Sequence, residues 1–319
     1  MEKKTAYGGQ AVVEGVMFAG KNVNVTAIRR KDSSLNFLEI ERKVIPWAQK
    51  LRKIPFIRGN VAIIESLING SKHLNFSTER FDVDPKDDDQ IVPEQESSKL
   101  TMILGVAVVA VLSFLFSKFV FTALPAVVAH SFFREWFPGH LAQNIIEGVI
   151  KTILLFGYIY LISLTPLVKR LFQYHGAEHK VINCYEEGKE ITVENVQSSS
   201  RLHYRCGSSF IIFTVIIGVF VYLLVPSEPL LERVLYRLAL IPVVIGIAFE
   251  ALQLTNKVRD IPVLKMLGYP GLWVQLLTTK EPTNEQVEVS IASFERMLEL
   301  EQQAESEKIK VAKENIQPI

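Results

Sequence analysis

Cysteine is scarce. The 319 residues contain only Cys184 and Cys206, and these form no Cys-x-x-Cys pair. Neither a disulfide framework nor a four-cysteine zinc ribbon can be built from them, and both thiols are expected to be reduced. Net charge is missing too. Lys and Arg number 35 against 34 Asp and Glu, a formal charge of +1, which makes no electrostatic case for nucleic acid. The glycine-rich opening lacks the Gly-Lys-Ser/Thr close of a phosphate loop, and reads instead as a strand edge with tight turns. No charged segment followed by a short apolar one stands at the start, so the first hundred residues are expected to stay where they are made. No internal repeat appears.

Apolar residues are plentiful, at 49% of the chain with a positive mean hydropathy, more than a soluble domain of this size usually carries. Four stretches are long enough to cross a bilayer: about 101–124, 145–168, 207–227 and 234–254. Lys118 can snorkel from the first, and Trp136 lies in an aromatic segment suited to a membrane interface. The loop from Lys169 to Arg205 carries Lys169, Arg170, Lys180, Lys189, Arg201 and Arg205, whereas the other connections offer little beyond Arg134, Arg233 and Arg237. By the positive-inside rule that loop and both termini are expected in the cytoplasm.

Before the spans, Val23, Val25 and Ala27 recur at period two, as do Leu38, Ile40, Arg42 and Val44, which predicts a short β-meander. From Arg58 to Leu74 the spacing turns helical, with Val61, Ile64 and Ile68 on one stripe. Asp and Glu beside Pro85 and Pro93 make 79–99 an expected flexible linker. Near the end, Val287, Ile291, Phe294 and Leu298 share one helical face. The expected fold class is therefore membrane α-helical, with four transmembrane helices. A small N-terminal cytosolic α+β domain spans 1–78, and the four-helix membrane domain covers 100–280, with its cytosolic loop at 169–206. A C-terminal amphipathic helix and charged tail take up 281–319.

The chemistry concentrates in His175-Gly-Ala-Glu178-His179. Positions i and i+4 of a helix share a face, so His175 and His179 can hold one ion between them, with Glu178 beside them as a base. This is the His-x-x-Glu-His order, the reverse of the commoner zincin motif. Zinc in a catalytic site normally takes a third protein ligand and a water. His203 is the first candidate for that ligand, Cys206 the second as a softer donor, and Glu250 the third, an ionisable group inside an apolar helix. Each has a plainer reading: a chance surface pair for the histidines, a packed thiol for Cys206, an arginine partner for Glu250, and lipid-phosphate contacts for Arg201 and Arg205. His73, His130 and His140 lack ligand spacing and are expected at the surface or an interface. The expected cofactor is a divalent metal ion, zinc before others, and the expected reaction is hydrolysis of a membrane-associated peptide or lipid. The alternative is a non-catalytic membrane factor with a structural or sensory metal. Expected partners are the lipid bilayer, a membrane-protein or lipid substrate and a second copy of the chain.

Gly8-Gly-Gln10-Ala-Val-Val-Glu14-Gly-Val-Met17, Gln173-Tyr-His175-Gly-Ala-Glu-His179-Lys180 with Tyr185-Glu186, and Arg201-Leu-His203-Tyr-Arg205-Cys206-Gly-Ser-Ser-Phe210 together resemble the YqhQ-like family of bacterial multi-pass membrane proteins. So does Pro270-Gly-Leu-Trp-Val-Gln275 with Thr278-Thr-Lys-Glu-Pro282. The resemblance implies a metal-dependent enzyme built on His175, Glu178, His179 and His203 with Cys206. It adds Gln10 and Glu14 to the site, with the N-terminal motif folded back under the membrane bundle.

Overall fold

Four antiparallel strands in simple sequential order open the protein: β1 (Gly8–Val12), β2 (Gly15–Ala19), β3 (Val23–Arg29) and β4 (Leu35–Glu41). The computed structural model describes residues 5–42, 46–90, 116, 119–225 and 230–314. The meander follows its period-two pattern, Val12 facing Gly15 across a two-residue turn and Val25 facing Glu39. Within that first turn Glu14 takes a positive φ of 52°, uncommon for a residue with a side chain. Alternation predicts one buried face, yet β3 is buried along nearly its whole length. Val23, Val25 and Ala27 face one core, while Ile28 joins Val12, Met17 and Phe76 in a second on the opposite side. Both faces of the sheet are covered by helices.

After the sheet come α1 (Pro46–Leu51) and α2 (Ile57–Arg80). The latter extends six residues beyond the predicted Leu74 and brings His73 beneath the sheet. His73 is a correction to its expected surface position: it is 1% exposed, with Nδ1 2.6 Å from Thr26 Oγ1. The acidic stretch that follows is docked where it is described. Pro85–Gln90 forms a short helical turn, and Asp88 accepts two hydrogen bonds from Arg30, at 2.5 and 2.7 Å. Residues 91–99 of the expected linker lie outside the described residues.

The apolar half contains α3 (Leu124–Phe133), α4 (His140–Ser163), α7 (Gly207–Tyr222), α8 (Leu230–Ala239) and α9 (Ile241–Lys257), with α5 (Pro166–Glu187) and α6 (Val193–Ser198) between α4 and α7. Among the described residues α4 alone is both long and apolar enough to cross a membrane, and only 17% of its most apolar stretch is buried. The second predicted span stops at Ser163 because Pro166 starts a new helix. The fourth is divided at Leu240, where Pro242 opens α9. The third is a helix of 16 residues, and most of the first lies outside the described residues.

The chain closes with α10 (Tyr269–Thr278) and α11 (Asn284–Glu314). The predicted stripe on α11 packs against β2 and β3. Val287, Phe294 and Met297 are fully buried, each worth roughly 1.5–3 kcal/mol on transfer from water. Ser293 Oγ bonds Val16 O and Val25 O, and Glu301 accepts the backbone N–H of Asn22 and Val23. The same core takes in Tyr174, Ala177 and Val181 of α5. The expected separate N-terminal domain is therefore one unit with α5, α6 and α11, and segments far apart in sequence close a single core.

Candidate metal centre

The central helix of this unit, α5, begins with Pro166 after Thr165 and ends at Gly188, whose φ of 79° completes a left-handed cap. Its middle passes close beneath residues 278–281. A Cβ on Gly176 would lie 2.1 Å from Lys280 O, so only glycine permits the approach that puts a carbonyl beside His175.

His175 Nδ1 lies 2.9 Å from Thr278 O, and His179 Nδ1 lies 2.7 Å from Arg201 O. A carbonyl oxygen can only accept, so both Nδ1 atoms carry a proton, and Nε2 is the nitrogen that would bind an ion once any proton on it is lost. This is the outer hydrogen bonding that orients metal-binding imidazoles. The rings stand 4.5 Å apart between centroids, and His175 Nε2 is 3.2 Å from Cys206 Sγ. Ligand atoms of His175, His179 and Cys206 all lie within 4.8 Å of one another. Tetrahedral zinc with two nitrogens and a sulfur needs separations of about 3.4–3.6 Å. A contraction of about an ångström suffices, and the donor set fits.

Cys206 caps the N-terminus of α7 and contacts Ser208 Oγ at 3.0 Å. Burial pushes its thiol upward, but the imidazoles of His175 and His179 outweigh that and hold it well below the usual range. His175 shifts the other way: burial disfavours its charged form, yet Cys206 and then Glu178 raise it to about 9. Negative charge on Cys206 and positive charge on His175 favour each other, and a cation captured there would displace any proton on His175 Nε2. Glu178 is 5% exposed, and burial raises its carboxyl despite the histidines nearby. It accepts the Gly9 N–H, and a Cβ on Gly9 would sit 3.0 Å from its carboxyl carbon. The N-terminal motif does reach the site, through Gly9.

The other expected members are placed differently. His203, first choice for the third ligand, is outside the converging group. Its ring is 5.8 Å from that of His179, and its buried Nε2 lies 3.7 Å from Glu186 with no hydrogen-bond partner. Burial lowers its pKa, against the opposing influence of Glu186. Cys206 takes the place expected of it because Gln275 fixes the loop: its side chain accepts His203 N–H at 2.8 Å and donates to His203 O and Ser209 Oγ, both at 2.7 Å. Glu250 is no ligand. It accepts from Arg58 Nε at 2.7 Å and from Phe56 N–H at 3.1 Å, clamping α9 to α2. Glu14 pairs with Arg170 and receives Tyr174 OH at 3.2 Å. Gln10 lies against Gly70 of α2. The two arginines expected to meet lipid phosphate are engaged by protein: Arg201 by Thr279 and Glu281, Arg205 by Glu186 and Tyr7 O.

Glu186 was read only as part of a motif. It gathers Arg205, Arg259 and His203. Burial opposes its charge, but His203 and Arg205 win and bring it down to about 2. Gln275 and Thr278 were likewise read only as parts of a motif, since nothing in their local pattern indicates which loop they will meet.

Residues 54–300 match the family described as Protein of unknown function (DUF1385). The chain belongs to this family. It is also similar to the Uncharacterized protein YqhQ of Bacillus subtilis (strain 168), 64% identical over 297 residues that cover 93% of each chain. No solved structure matches. The matched family region contains the converging His175, His179 and Cys206, together with Glu178, the Glu186 cluster and Gln275.

Proposed function

We propose that this family member is a metal-dependent membrane enzyme, hydrolytic in type, working at the cytoplasmic face of a membrane that it crosses four times. One observation carries the reading. Two histidines one helical turn apart each have the Nδ1 proton tied to a carbonyl, His175 Nε2 lies 3.2 Å from Cys206 Sγ, and ligand atoms of His175, His179 and Cys206 converge within 4.8 Å. Two nitrogens and a sulfur suit zinc among the divalent ions, and His175, His179 and Cys206 would hold it. When bound, such an ion supplies Lewis acidity and makes water easier to deprotonate. Glu178 is the base: its carboxylate takes a proton from the attacking water and returns it to the leaving group, a role that its raised pKa favours. The exposed apolar surface of α4 and the basic loop from Lys169 to Arg205 support the membrane setting.

A second reading rests on burial. His179 is 1% and Cys206 5% exposed, as in a closed structural or sensory site on a factor that recruits another membrane protein. Metal analysis of purified wild type against a His175→Ala, His179→Ala double variant tests the shared premise, with stoichiometric zinc in the first and little in the second. Glu178→Gln separates the readings. In an enzyme it keeps the metal and loses about 10²-fold or more in turnover, whereas a structural site keeps both its metal and its cellular function. Wild-type protein indistinguishable in metal content from the double variant would end both.

A further inference from the structure

A cavity of about 690 Å³ lies between α2 and α9, against the candidate centre. Two of its lining residues, Arg205 and Gly207, flank Cys206, and a third, Gly9, is the residue on which Glu178 packs. Away from this end the walls turn apolar, with Ile63, Leu67, Phe249 and Leu252. Amides of Gln10, Gln253 and Asn256 also line it. On the outer side Ile64, Leu67 and Ile68 of α2 are each more than half exposed, so apolar surface continues outward from the cavity. Its volume falls in the ~300–1,000 Å³ range of small-molecule sites.

We propose that this cleft is the substrate site, and that it takes a single-chain amphiphile drawn from the membrane, such as a lysophospholipid. The polar head lies at the end lined by Gly9, Gln10 and Gly207, next to the candidate centre, and the hydrocarbon chain lies between α2 and α9. This assignment rests on the hydrolytic reading above and gives it a substrate class. A peptide is disfavoured because the strand nearest the centre, β1, gives its Gly9 N–H to Glu178 and is packed by α5, so it offers no open edge for strand addition.

The test uses full-length protein in lipid nanodiscs and a lysophosphatidylglycerol whose palmitoyl chain carries a diazirine. Labelling should be saturable, should fall on peptides from residues 57–80 and 241–257, and should be displaced by unlabelled lysophospholipid. Ser66→Trp, which fills the cavity from an exposed position, and Leu252→Trp should each cut it at least about tenfold, since the chain loses several buried methylenes. Metal content is measured on the same samples. Saturable labelling without metal would keep the cleft and remove the metal reading. Metal with labelling that is unsaturable, or unchanged in both Trp variants, would overturn the cleft alone. Displacement by an extended apolar peptide, and not by lysophospholipid, would overturn the lipid assignment.

Discussion

Replacing Gln275 by Met keeps side-chain length and removes its hydrogen bonding, which tests how the cysteine is placed. Gln275 is fully buried and makes three bonds, two to the backbone of His203 and one to Ser209. The groups it leaves behind are not equivalent. His203 O keeps a contact with Cys206 N at 3.4 Å, and a serine hydroxyl can rotate. His203 N–H has no second acceptor among the described residues, and a stranded buried donor costs about 1–3 kcal/mol. With the two lesser losses, destabilisation should reach about 2–4 kcal/mol. In a chain of this size that is a fall of roughly 3–6 °C in Tm, read by thermal shift in nanodiscs. Because the loop ends at Cys206, zinc affinity should also fall, by about tenfold, as for other residues that orient ligands. A Tm within about 1 °C of wild type, with zinc affinity unchanged, would refute the idea that α10 positions the loop.

Acid titration should reveal His73. Burial, then Lys72, lowers its folded-state pKa to about 4, against about 6.5 unfolded. Above pH 6.5 the ring is neutral in both states and its contribution is intact. As pH falls from about 6.5 to 4 the unfolded chain takes up a proton that the folded one refuses, and stability drops by up to about 3 kcal/mol. In His73→Gln that slope should disappear from the pH dependence of Tm, and a persisting slope would assign it elsewhere. Gly176→Ala should cost about 3–5 kcal/mol or prevent folding, because the new methyl meets the Lys280 carbonyl; near-native Tm would show that residues 278–281 move aside freely. Glu250→Ala should lower Tm by leaving Arg58 half-buried without its carboxylate, about 1–3 kcal/mol, with zinc content unchanged. A loss of zinc would restore Glu250 as a ligand.

The meander was legible in the alternation of Val23, Val25 and Ala27, and α2 in its helical stripe. The second buried face of β3 was not, because Asn24 and Thr26 are polar and are covered by a helix that brings His73 as a partner for Thr26. The stripe on α11 was also legible, but not its target. An amphipathic face specifies that something apolar covers it, and the face of a sheet satisfies that as well as lipid does. Breaks at Pro166 and Pro242 follow from proline's missing N–H, although hydropathy alone runs through both.

Within the site, sequence by itself determined the spacing of His175, Glu178 and His179, since helical geometry puts residues four apart on one face whatever surrounds them. Only the tertiary structure decided that Cys206, not His203, completes the group, that Glu250 serves Arg58, and that Gly9 meets Glu178. Those choices depend on contacts across tens to hundreds of residues, made by Gln275, the Thr278 carbonyl and the return of the N-terminal strand. Local pattern encodes which way a side chain points along its own element, whereas its neighbour is set by how the elements pack.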